Sequence, residues 1–248
     1  MTLTAAAPAR AQPESMIPAI IHQTWKDRSV PDRFRAAQAS WQAAHPEWEY
    51  RLWTDADLDD VVSTYAPELV PLYRSYPYQI QRVDAARYVI LRQFGGAYAD
   101  LDLVCMKPLD GLRAHRVVLP LTTPWGVSNQ FMLSQPGQSL FDYAIRSLPD
   151  AYRRWQRWWF PRHLRVLRTT GPLFLTARLK EHGPVEGLRI LSLDEHCHGD
   201  PELAYVHNLR GKTWAEWDTH ALNFLHDYWR PLTALGVGAA AAGWYLLR

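Results

Sequence analysis

Short apolar runs rich in β-branched residues alternate with segments of helical periodicity from residue 17 to residue 193, and this alternation constrains the fold most. Ile17–Gln23 predicts a buried strand, and the apolar spacing over Ile80–Phe94 predicts a helix that Gly95 and Gly96 end. The same criteria predict strands at Glu49–Trp53, Ala97–Met106, Val117–Leu121, Phe131–Ser134 and Leu188–Leu193, and helices at Arg33–Ala44 and Pro172–Glu181. Strands that alternate with helices predict an α/β fold with a mostly parallel sheet.

The two ends of the chain differ from its middle. Residues 1–16 are rich in Ala and Pro and are expected to form a disordered tail before a folded domain at residues 17–228. No apolar segment precedes the cleavage-like sequence PARAQ, which argues against secretion. Residues 229–248 are apolar, but a helix of their uncharged stretch reaches only about 25 Å against a hydrocarbon core of about 30 Å. We therefore expect either a peripheral or monotopic anchor at the inner membrane face or a helix packed on the domain.

Composition excludes several classes of protein. Hydrophobic residues make up 48% of the 248 residues and charged residues 21%, which is enough apolar material for a core. A formal net charge of +2 gives no whole-chain attraction for nucleic acid. The two cysteines, Cys105 and Cys197, can form at most one bridge, so the chain is no disulfide scaffold. This cysteine usage predicts a reducing, cytoplasmic setting.

The tripeptide Asp-x-Asp occurs three times, and two overlapping copies have a structural explanation. Asp55, Asp57 and Asp59 follow Thr54, which can cap a helix with Asp57 three residues further on. Acidic residues in the first turn of a helix are stabilised by the helix dipole. We therefore interpret these two copies as part of a helix cap.

The third copy, Asp100-Leu101-Asp102, falls inside the predicted strand Ala97–Met106. Residues two apart on a strand face the same side, so we expect the two carboxylates side by side at roughly 6.5–7 Å. Their repulsion would be about 2.5 kcal/mol at an effective dielectric constant of about 20. A divalent cation would remove this cost, and all-oxygen ligation favours Mg²⁺ or Mn²⁺. The alternative is a strand end at which both side chains are solvated.

Arg87 falls on the apolar face of the predicted helix, together with Val83 and Phe94. A buried guanidinium needs partners, since leaving it unpaired costs several kcal/mol. Asp84 lies one turn earlier, and Asp100 follows just beyond the glycine turn. We expect these groups to line a polar cleft at the carboxyl ends of the strands, where α/β folds bind ligands. A purely structural ion pair is the alternative.

Two further segments call for interpretation. Tyr152–Arg168 interleaves aromatic residues with six arginines, so it is either a basic helix whose aromatic residues pack on the domain or an interfacial segment that contacts anionic lipid. Asp194–Asp200 contains His196, Cys197 and His198, but the sequence shows no matching second pair of zinc ligands. We interpret it as a polar loop.

Six motifs occur in a fixed order between residues 22 and 214. They are HQTWK (His22–Lys26), Asp84-x-x-Arg87, FGGAYADLDL (Phe94–Leu103), SNQFMLSQPG (Ser128–Gly137), TTGPLFLT (Thr169–Thr176) and HNLRGKTW (His207–Trp214). Together they resemble the family of glycosyltransferases with a DXD motif, which includes fungal initiating mannosyltransferases, mannosyl-inositol-phosphoceramide synthases and bacterial polysaccharide enzymes. The resemblance implies that residues 17–228 adopt a GT-A-type, Rossmann-like nucleotide-sugar-binding fold with a mostly parallel mixed sheet.

The resemblance also implies roles for the polar residues in the middle of the chain. Asp102 would ligate the metal, and Asp100 would contact the ribose of the donor or a metal-bound water. Asp84 and Arg87 would hold the sugar and the phosphate. Asn129 would lie near the transferred sugar.

The resemblance also implies that the first and last motifs bind the donor. Thr24 and Trp25 follow the first strand, and Trp25 would stack on the nucleotide base. His207 would add a contact to the metal or the diphosphate. Lys212-Thr213-Trp214 stands where the family usually has a small residue, Ser and Trp. This tripeptide would belong to a closing segment in which the lysine could meet the diphosphate.

The resemblance implies a retaining, metal-dependent transfer of a hexose from a UDP- or GDP-sugar to a lipid or saccharide acceptor. The predicted cofactor is Mn²⁺ or Mg²⁺, and the predicted partners are the nucleotide sugar, the acceptor and a membrane surface, without nucleic acid. Two alternatives stay open. One is a metal-dependent phosphoester hydrolase that uses the same carboxylates, and the other is a non-catalytic membrane-surface protein of the same fold.

Overall fold

The computed structural model describes residues 16–123, 126–197 and 202–209. Its strands are β1 (Ile20–Thr24), β2 (Glu49–Trp53), β3 (Gly96–Ala99), β4 (Leu103–Cys105), β5 (Val117–Pro120), β6 (Phe131–Ser134), β7 (Leu188–Leu191) and β8 (Val206–Asn208). Its α-helices are α1 (Asp32–Ala44), α2 (Asp55–Tyr65), α3 (Val70–Ser75), α4 (Gln79–Phe94), α5 (Ser139–Trp155), α6 (Arg162–Thr169) and α7 (Pro172–His182). Short 3-10 helices lie at Pro67–Leu69 and Asp110–Leu112.

Six strands form one mixed sheet in the order β2–β1–β3–β6–β5–β7. β1 runs parallel to β2 and β3, and β5 runs parallel to β7. Only β6 is antiparallel to its neighbours within this sheet, β3 and β5. The prediction of an α/β fold with a mostly parallel mixed sheet is confirmed.

Two apolar clusters cover the two faces of this sheet, because successive strand residues point to opposite sides. Within β3, Ala97 and Ala99 join the cluster around Trp41 of α1, whereas Tyr98 joins the cluster that includes residues of α2, α4, α5 and α7. Both faces are therefore buried, which is typical of a sheet covered by helices.

The predicted strand Ala97–Met106 is interrupted in the structure. It divides into β3 and β4 at a turn, in which the amide of Leu103 donates to the carbonyl of Asp100 at 3.1 Å. β4 leaves the main sheet and pairs with β8 in a two-stranded antiparallel sheet. Leu101 is buried at the turn, so the apolar pattern continues through it and imitates one long strand. A turn, and not strand alternation, therefore positions Asp100 and Asp102.

The glycine pair predicted to end a helix does so. Gly95 follows α4 with φ +64°, and its amide donates to the carbonyl of Leu91 at 3.0 Å. Gly96 has φ +86°, and a Cβ atom there would lie 2.6 Å from the carbonyl oxygen of Ile20. These two residues let the chain reverse and bring β3 close against β1.

The predicted helix cap is also confirmed. Thr54 accepts a hydrogen bond from the amide of Asp57, and the Asp57 carboxylate accepts one from the amide of Thr54. This reciprocal capping box fixes the start of α2.

Two segments differ from their sequence interpretation. Residues 152–168 are not one helix, because α5 ends at Trp155 and α6 begins at Arg162. Residues 194–197 form a turn, in keeping with the predicted loop, but His196 within it is fully buried, with its Nδ1 atom bonded to the carbonyl of Leu121 at 3.0 Å and its Nε2 atom 3.2 Å from Nε2 of Gln130.

Several predictions about the chain ends concern residues outside the described part of the chain. Residues 1–15 of the predicted tail and the apolar segment 229–248 belong to this part of the chain. Within residues 16–123, 126–197 and 202–209, no helix has the length and apolar character required of a membrane span. Cys105 and Cys197 are not joined by a disulfide bridge.

Candidate active site

The Arg87 guanidinium is buried at the centre of a polar cluster beneath the end of β3. Its Nη2 atom lies 3.1 Å from Oδ1 of Asp84 and 3.2 Å from Oδ1 of Asp100, and its Nη1 atom donates to the carbonyl of Asn129 at 2.6 Å. The guanidinium also lies over the Tyr98 ring at 4.5 Å. The arginine that the sequence placed on an apolar helix face therefore has the carboxylate partners expected for it.

Asp84 and Asn129 lie behind Arg87 and hold it in place. Asp84 accepts hydrogen bonds from the amide group of Asn129 at 3.0 Å and from the hydroxyl of Thr170 at 2.9 Å. Burial raises the pKa of Asp84, whereas the charge of Arg87 and these two hydrogen bonds oppose the rise. The polar groups of Asp84 are thus engaged within the protein, so the geometry gives it a positioning role, and its predicted contact with a sugar stays a prediction.

Asp100 connects this buried cluster to an open cavity. Its Oδ1 atom accepts a hydrogen bond from the Tyr98 hydroxyl at 2.9 Å, and 30% of its side chain is exposed. Burial raises the pKa of Asp100 to about 7, with a further upward contribution from Asp102 and opposing ones from Arg87 and the Tyr98 hydrogen bond. Excess negative charge at this point of the site is therefore unfavourable, and a cation would relieve it.

The cavity has a volume of about 260 Å³ and opens at the carboxyl ends of β1, β2 and β3. Five of the residues implicated by sequence line its wall: Thr24, Trp25, Arg87, Asp100 and Asp102. The Trp25 ring packs edge-on against Phe34 with ring centroids 5.6 Å apart. Aromatic and charged side chains therefore line the same cavity.

Three polar lining residues were not assigned to the site from the sequence, namely Lys26, Asp55 and Gln79. Asp55 lies in the first turn of α2, as interpreted from the sequence, and the side-chain cap itself is formed by Thr54 and Asp57. The backbone amide of Asp55 donates to the carbonyl of Lys26 at 3.3 Å, which brings the start of α2 beside the end of β1. Only the pairing of β1 with β2 creates this neighbourhood, so no local signal could have found it.

His22 connects the first two strands, which end at the cavity, to the glycine turn. Its Nε2 atom bonds the carbonyl of Gly95 at 2.9 Å, and its Nδ1 atom accepts a hydrogen bond from the indole of Trp53 at 3.1 Å. These partners select the neutral ring with the proton on Nε2. Burial lowers the pKa of His22 to about 4. The ring therefore ties β1 and β2 to the glycine turn without carrying charge.

The last described residues, 202–209, pass beside Asp102. The amide of Leu209 donates to the carbonyl of Asp102 at 2.9 Å, and the side chain of Asn208 donates to Gln130 at 3.0 Å. His207 lies on β8 opposite Val104 and is exposed. Lys212, Thr213 and Trp214 lie outside the described residues.

Asp100, Asp102 and His207 do not form a three-ligand metal group. In the described part of the chain, no three His, Cys, Asp or Glu side chains come together in that way. Two carboxylates on one cavity wall are nevertheless suitable donors for Mg²⁺ or Mn²⁺, since these ions keep several positions for water and substrate phosphates. The residues present thus fit such an ion, and the contribution of His207 stays a prediction.

The fold and the residue pattern define the class of this protein. The architecture is that of the GT-A glycosyltransferases. One solved relative, PaToxG glycosyltransferase, superposes with a TM-score of 0.55 over 69% of this chain and 72% of that one at 15% sequence identity. Residues 31–119 match the family described as the glycosyltransferase sugar-binding region containing a DXD motif. The chain thus carries the sugar-binding region of the DXD glycosyltransferase family, and the resemblance inferred from its motifs is confirmed.

Curated relatives agree with this assignment. Inositol phosphoceramide mannosyltransferase 3 of Schizosaccharomyces pombe is 34% identical over 224 residues, which cover 89% of this chain and 62% of the relative. Mannosyl phosphorylinositol ceramide synthase SUR1 of Saccharomyces cerevisiae is 36% identical over 167 residues, covering 67% of this chain and 43% of the relative. The chain thus spans less than two thirds of the length of these relatives.

Proposed function

We propose that this protein is a metal-dependent, retaining glycosyltransferase that moves a hexose from a UDP- or GDP-sugar to a lipid or saccharide acceptor. The observation that carries the proposal is that Arg87, Asp100 and Asp102 line one cavity, to which Trp25 also contributes. The family of the sugar-binding region and the mannosyltransferase names of the relatives support it.

Different lining residues of the cavity suit different parts of such a donor. Trp25 offers an aromatic face on which a nucleotide base can stack, and the polar groups of Asp55 and Gln79 lie within reach of the same cavity. Arg87 and Lys26 supply positive charge for the diphosphate. Because Asp84 and the Asn129 carbonyl hold the guanidinium, Arg87 is oriented before any ligand arrives.

The chemistry demands stabilisation of a leaving group. The bond from the sugar to the diphosphate breaks, a bond from the same sugar carbon to the acceptor oxygen forms on the same face, and the acceptor proton passes to the leaving phosphate. Negative charge grows on the diphosphate, where Arg87 stabilises it. A divalent cation bound by Asp102 and Asp100 would supply further positive charge to the same oxygens.

The acceptor is proposed from the relatives, whose names describe mannosyl transfer to inositol phosphoceramide. A lipid acceptor places the working protein at a membrane surface, and we propose a peripheral position at its cytoplasmic face.

The test is a panel of UDP- and GDP-sugars incubated with the full chain and Mn²⁺, with release of free nucleoside diphosphate measured by chromatography. We expect slow release that is specific for one sugar nucleotide and is lost with EDTA. Asp102→Asn should reduce the rate at least 100-fold, because it removes one anionic metal ligand. Asp60→Asn, an exposed carboxylate of α2, is the matched control and should keep the full rate.

Three results would overturn the proposal. Unchanged turnover of the Asp102 variant would remove the metal assignment. Rapid cleavage of simple phosphoesters would show a hydrolase that uses the same carboxylates. An absence of both turnover and nucleotide binding in the wild type would show a non-catalytic protein of this fold.

A further inference from the structure

Two neighbouring tryptophans project from the loop between α5 and α6. Trp158 is 85% exposed and Trp159 is 58% exposed, and their rings meet edge-on with centroids 5.9 Å apart. Indole rings bury more apolar area than almost any other side chain, so two adjacent exposed ones carry a large hydrophobic cost in water. We call residues 156–161 the tryptophan loop.

The rest of the loop is anchored, so the exposure of the two rings is not a consequence of a poorly packed segment. Trp155 and Phe160 are half-buried at its base, with ring centroids 5.7 Å apart. The Gln156 side chain accepts a hydrogen bond at 3.1 Å from Gln81 of α4, the helix that carries Arg87. A firm base thus holds the two outer rings in solvent.

The charge around the tryptophan loop is strongly positive. No Asp or Glu occurs between Asp150 and Glu181, whereas six arginines lie within residues 152–168. Asp150 pairs with Arg153, so the acidic residue nearest in sequence is matched by one of these arginines. Arg154 and Arg157 are both exposed, with the Arg157 guanidinium over the Trp159 ring at 5.7 Å and that of Arg154 over Trp155 at 5.2 Å. A chain with a net charge of only +2 therefore concentrates positive charge in this region.

The start of α6, directly after the tryptophan loop, lies near the cavity. The guanidinium groups of Arg162 and Arg165 lie over the Tyr78 ring at 4.7 Å and 5.2 Å from its centroid. The next residue along the chain, Gln79, lines the cavity wall. A surface that rests on the tryptophan loop would therefore lie beside the entrance to the candidate active site.

We propose that the tryptophan loop docks the protein on an anionic lipid bilayer, with Trp158 and Trp159 inserted at the headgroup level and the arginines paired with lipid phosphates. Exposed indoles flanked by arginine suit the boundary between headgroups and acyl chains, where both an apolar body and a polar edge are satisfied. Anionic lipid adds attraction for each nearby arginine. The role of this docking, delivery of a lipid acceptor to the cavity, rests on the proposed function, but the docking itself is independent of turnover.

The test is flotation of the full chain with two kinds of vesicle. One is phosphatidylcholine alone, and the other contains about 30 mol% phosphatidylglycerol, which makes the surface anionic. We expect the wild type to bind the anionic vesicles at least tenfold more strongly than the neutral ones. The double variant Trp158→Ala/Trp159→Ala should lose at least tenfold of this binding. The double variant Arg154→Gln/Arg157→Gln should lose the preference for anionic lipid and resemble the wild type at high salt.

The matched control is Met106→Ala/Leu203→Ala, which removes two other exposed apolar side chains, 47% and 50% exposed, just outside the strands of the two-stranded sheet. Its binding should equal that of the wild type. Equal binding by the tryptophan variant, or a wild type that binds neither vesicle, would overturn the proposal. A wild type that binds a fluorescent oligonucleotide in preference to anionic vesicles would assign the surface to nucleic acid instead.

The two proposals fail separately. Nucleotide release without vesicles should be the same for the tryptophan variant and the wild type, since neither tryptophan lines the cavity. A wild type that binds anionic vesicles but releases no nucleotide would leave the docking surface intact and refute the transferase. Normal nucleotide release, together with vesicle binding that does not depend on Trp158 and Trp159, would support the transferase and refute the docking surface.

Discussion

At the scale of single residues, burial decides how much an Asp–Arg ion pair contributes to the stability of the protein. Asp84–Arg87 and Asp150–Arg153 have the same i,i+3 spacing on helices. The side chains of the first pair are only 5% and 1% exposed, whereas both side chains of the second are 73% exposed. Removing one partner of a buried pair leaves a charge without compensation, whereas an exposed pair is screened by water.

Asp84→Ala should therefore lower the free energy of unfolding by about 3 kcal/mol, because Arg87 would keep only Asp100 as a carboxylate partner within this cluster. Asp150→Ala should change it by less than about 0.5 kcal/mol. Urea unfolding followed by tryptophan fluorescence measures both values. Equal losses in the two variants would contradict the assignment of Asp84 as the residue that holds Arg87.

His22 makes stability depend on pH. In the folded protein its pKa is lowered to about 4, mainly by burial, from an ordinary value near 6.5. Below pH 6.5 the His22 ring binds a proton in the unfolded chain but stays neutral in the folded chain. The stabilisation present above pH 6.5 is therefore lost as the pH falls toward 4. Protonation of Nδ1 would also set it against the indole N–H of Trp53.

We expect this group alone to cost about 2 kcal/mol of stability between pH 8 and pH 5. Burial lowers the pKa of His45 as well, so the wild type should lose more than the share due to His22. His22→Gln should have a shallower pH dependence than the wild type, whatever its absolute stability. Urea unfolding at pH 8, 6.5 and 5 measures the two slopes, and identical slopes would refute the role of His22.

At the scale of secondary-structure elements, two turns build the site. The glycine turn reverses the chain from α4 into β3, and the turn at Asp100–Leu103 sends it from the main sheet into the two-stranded sheet. The first turn brings Arg87 and Asp100 within 3.2 Å of each other although they are thirteen residues apart in the sequence. Displacement of either turn should therefore move the carboxylates away from the guanidinium.

Gly96→Ala tests the first turn. The substitution forces a side chain into a left-handed conformation and places its Cβ atom 2.6 Å from the Ile20 carbonyl. We expect a loss of at least about 2 kcal/mol in the free energy of unfolding, since the αL conformation alone costs about 1–2 kcal/mol.

Gly111→Ala is the matched control, because a Cβ atom there meets no atom within 4 Å. It should be neutral or slightly stabilising, by up to about 1 kcal/mol, since it lowers the entropy of the unfolded chain. Thermal unfolding of both variants provides the comparison. A Gly96 variant as stable as the Gly111 variant would show that the contact between β1 and β3 relaxes freely.

At the scale of the whole molecule, the cavity belongs to no single element. Trp25 comes from the end of β1, Asp55 from the start of α2 and Arg87 from the middle of α4. The parallel strands bring these positions together because their carboxyl ends share one edge of the sheet. The proposed lipid surface depends on the same arrangement, since α4 carries both Arg87 and the hydrogen bond from Gln81 to the tryptophan loop.

Sequence reasoning succeeded where the signal is local. The capping box at Thr54, the glycine end of α4 and the need of Arg87 for carboxylate partners all depend on residues within about four positions or on one helical face. It failed where a local pattern is ambiguous. Leu101 extends the apolar alternation across a turn, and the polar appearance of residues 194–200 concealed the burial of His196.

The sequence by itself determined the α/β class, most of the strands and helices and the acidic and basic residues around which the site is built, because periodicity and capping depend on near neighbours. Only the tertiary structure decided that Asp84 lies behind Arg87, that Asp55 faces the cavity and that Trp158 and Trp159 face the solvent. These facts depend on which distant segments pack together. The packing of the whole chain sets such contacts, and no short stretch of sequence encodes them.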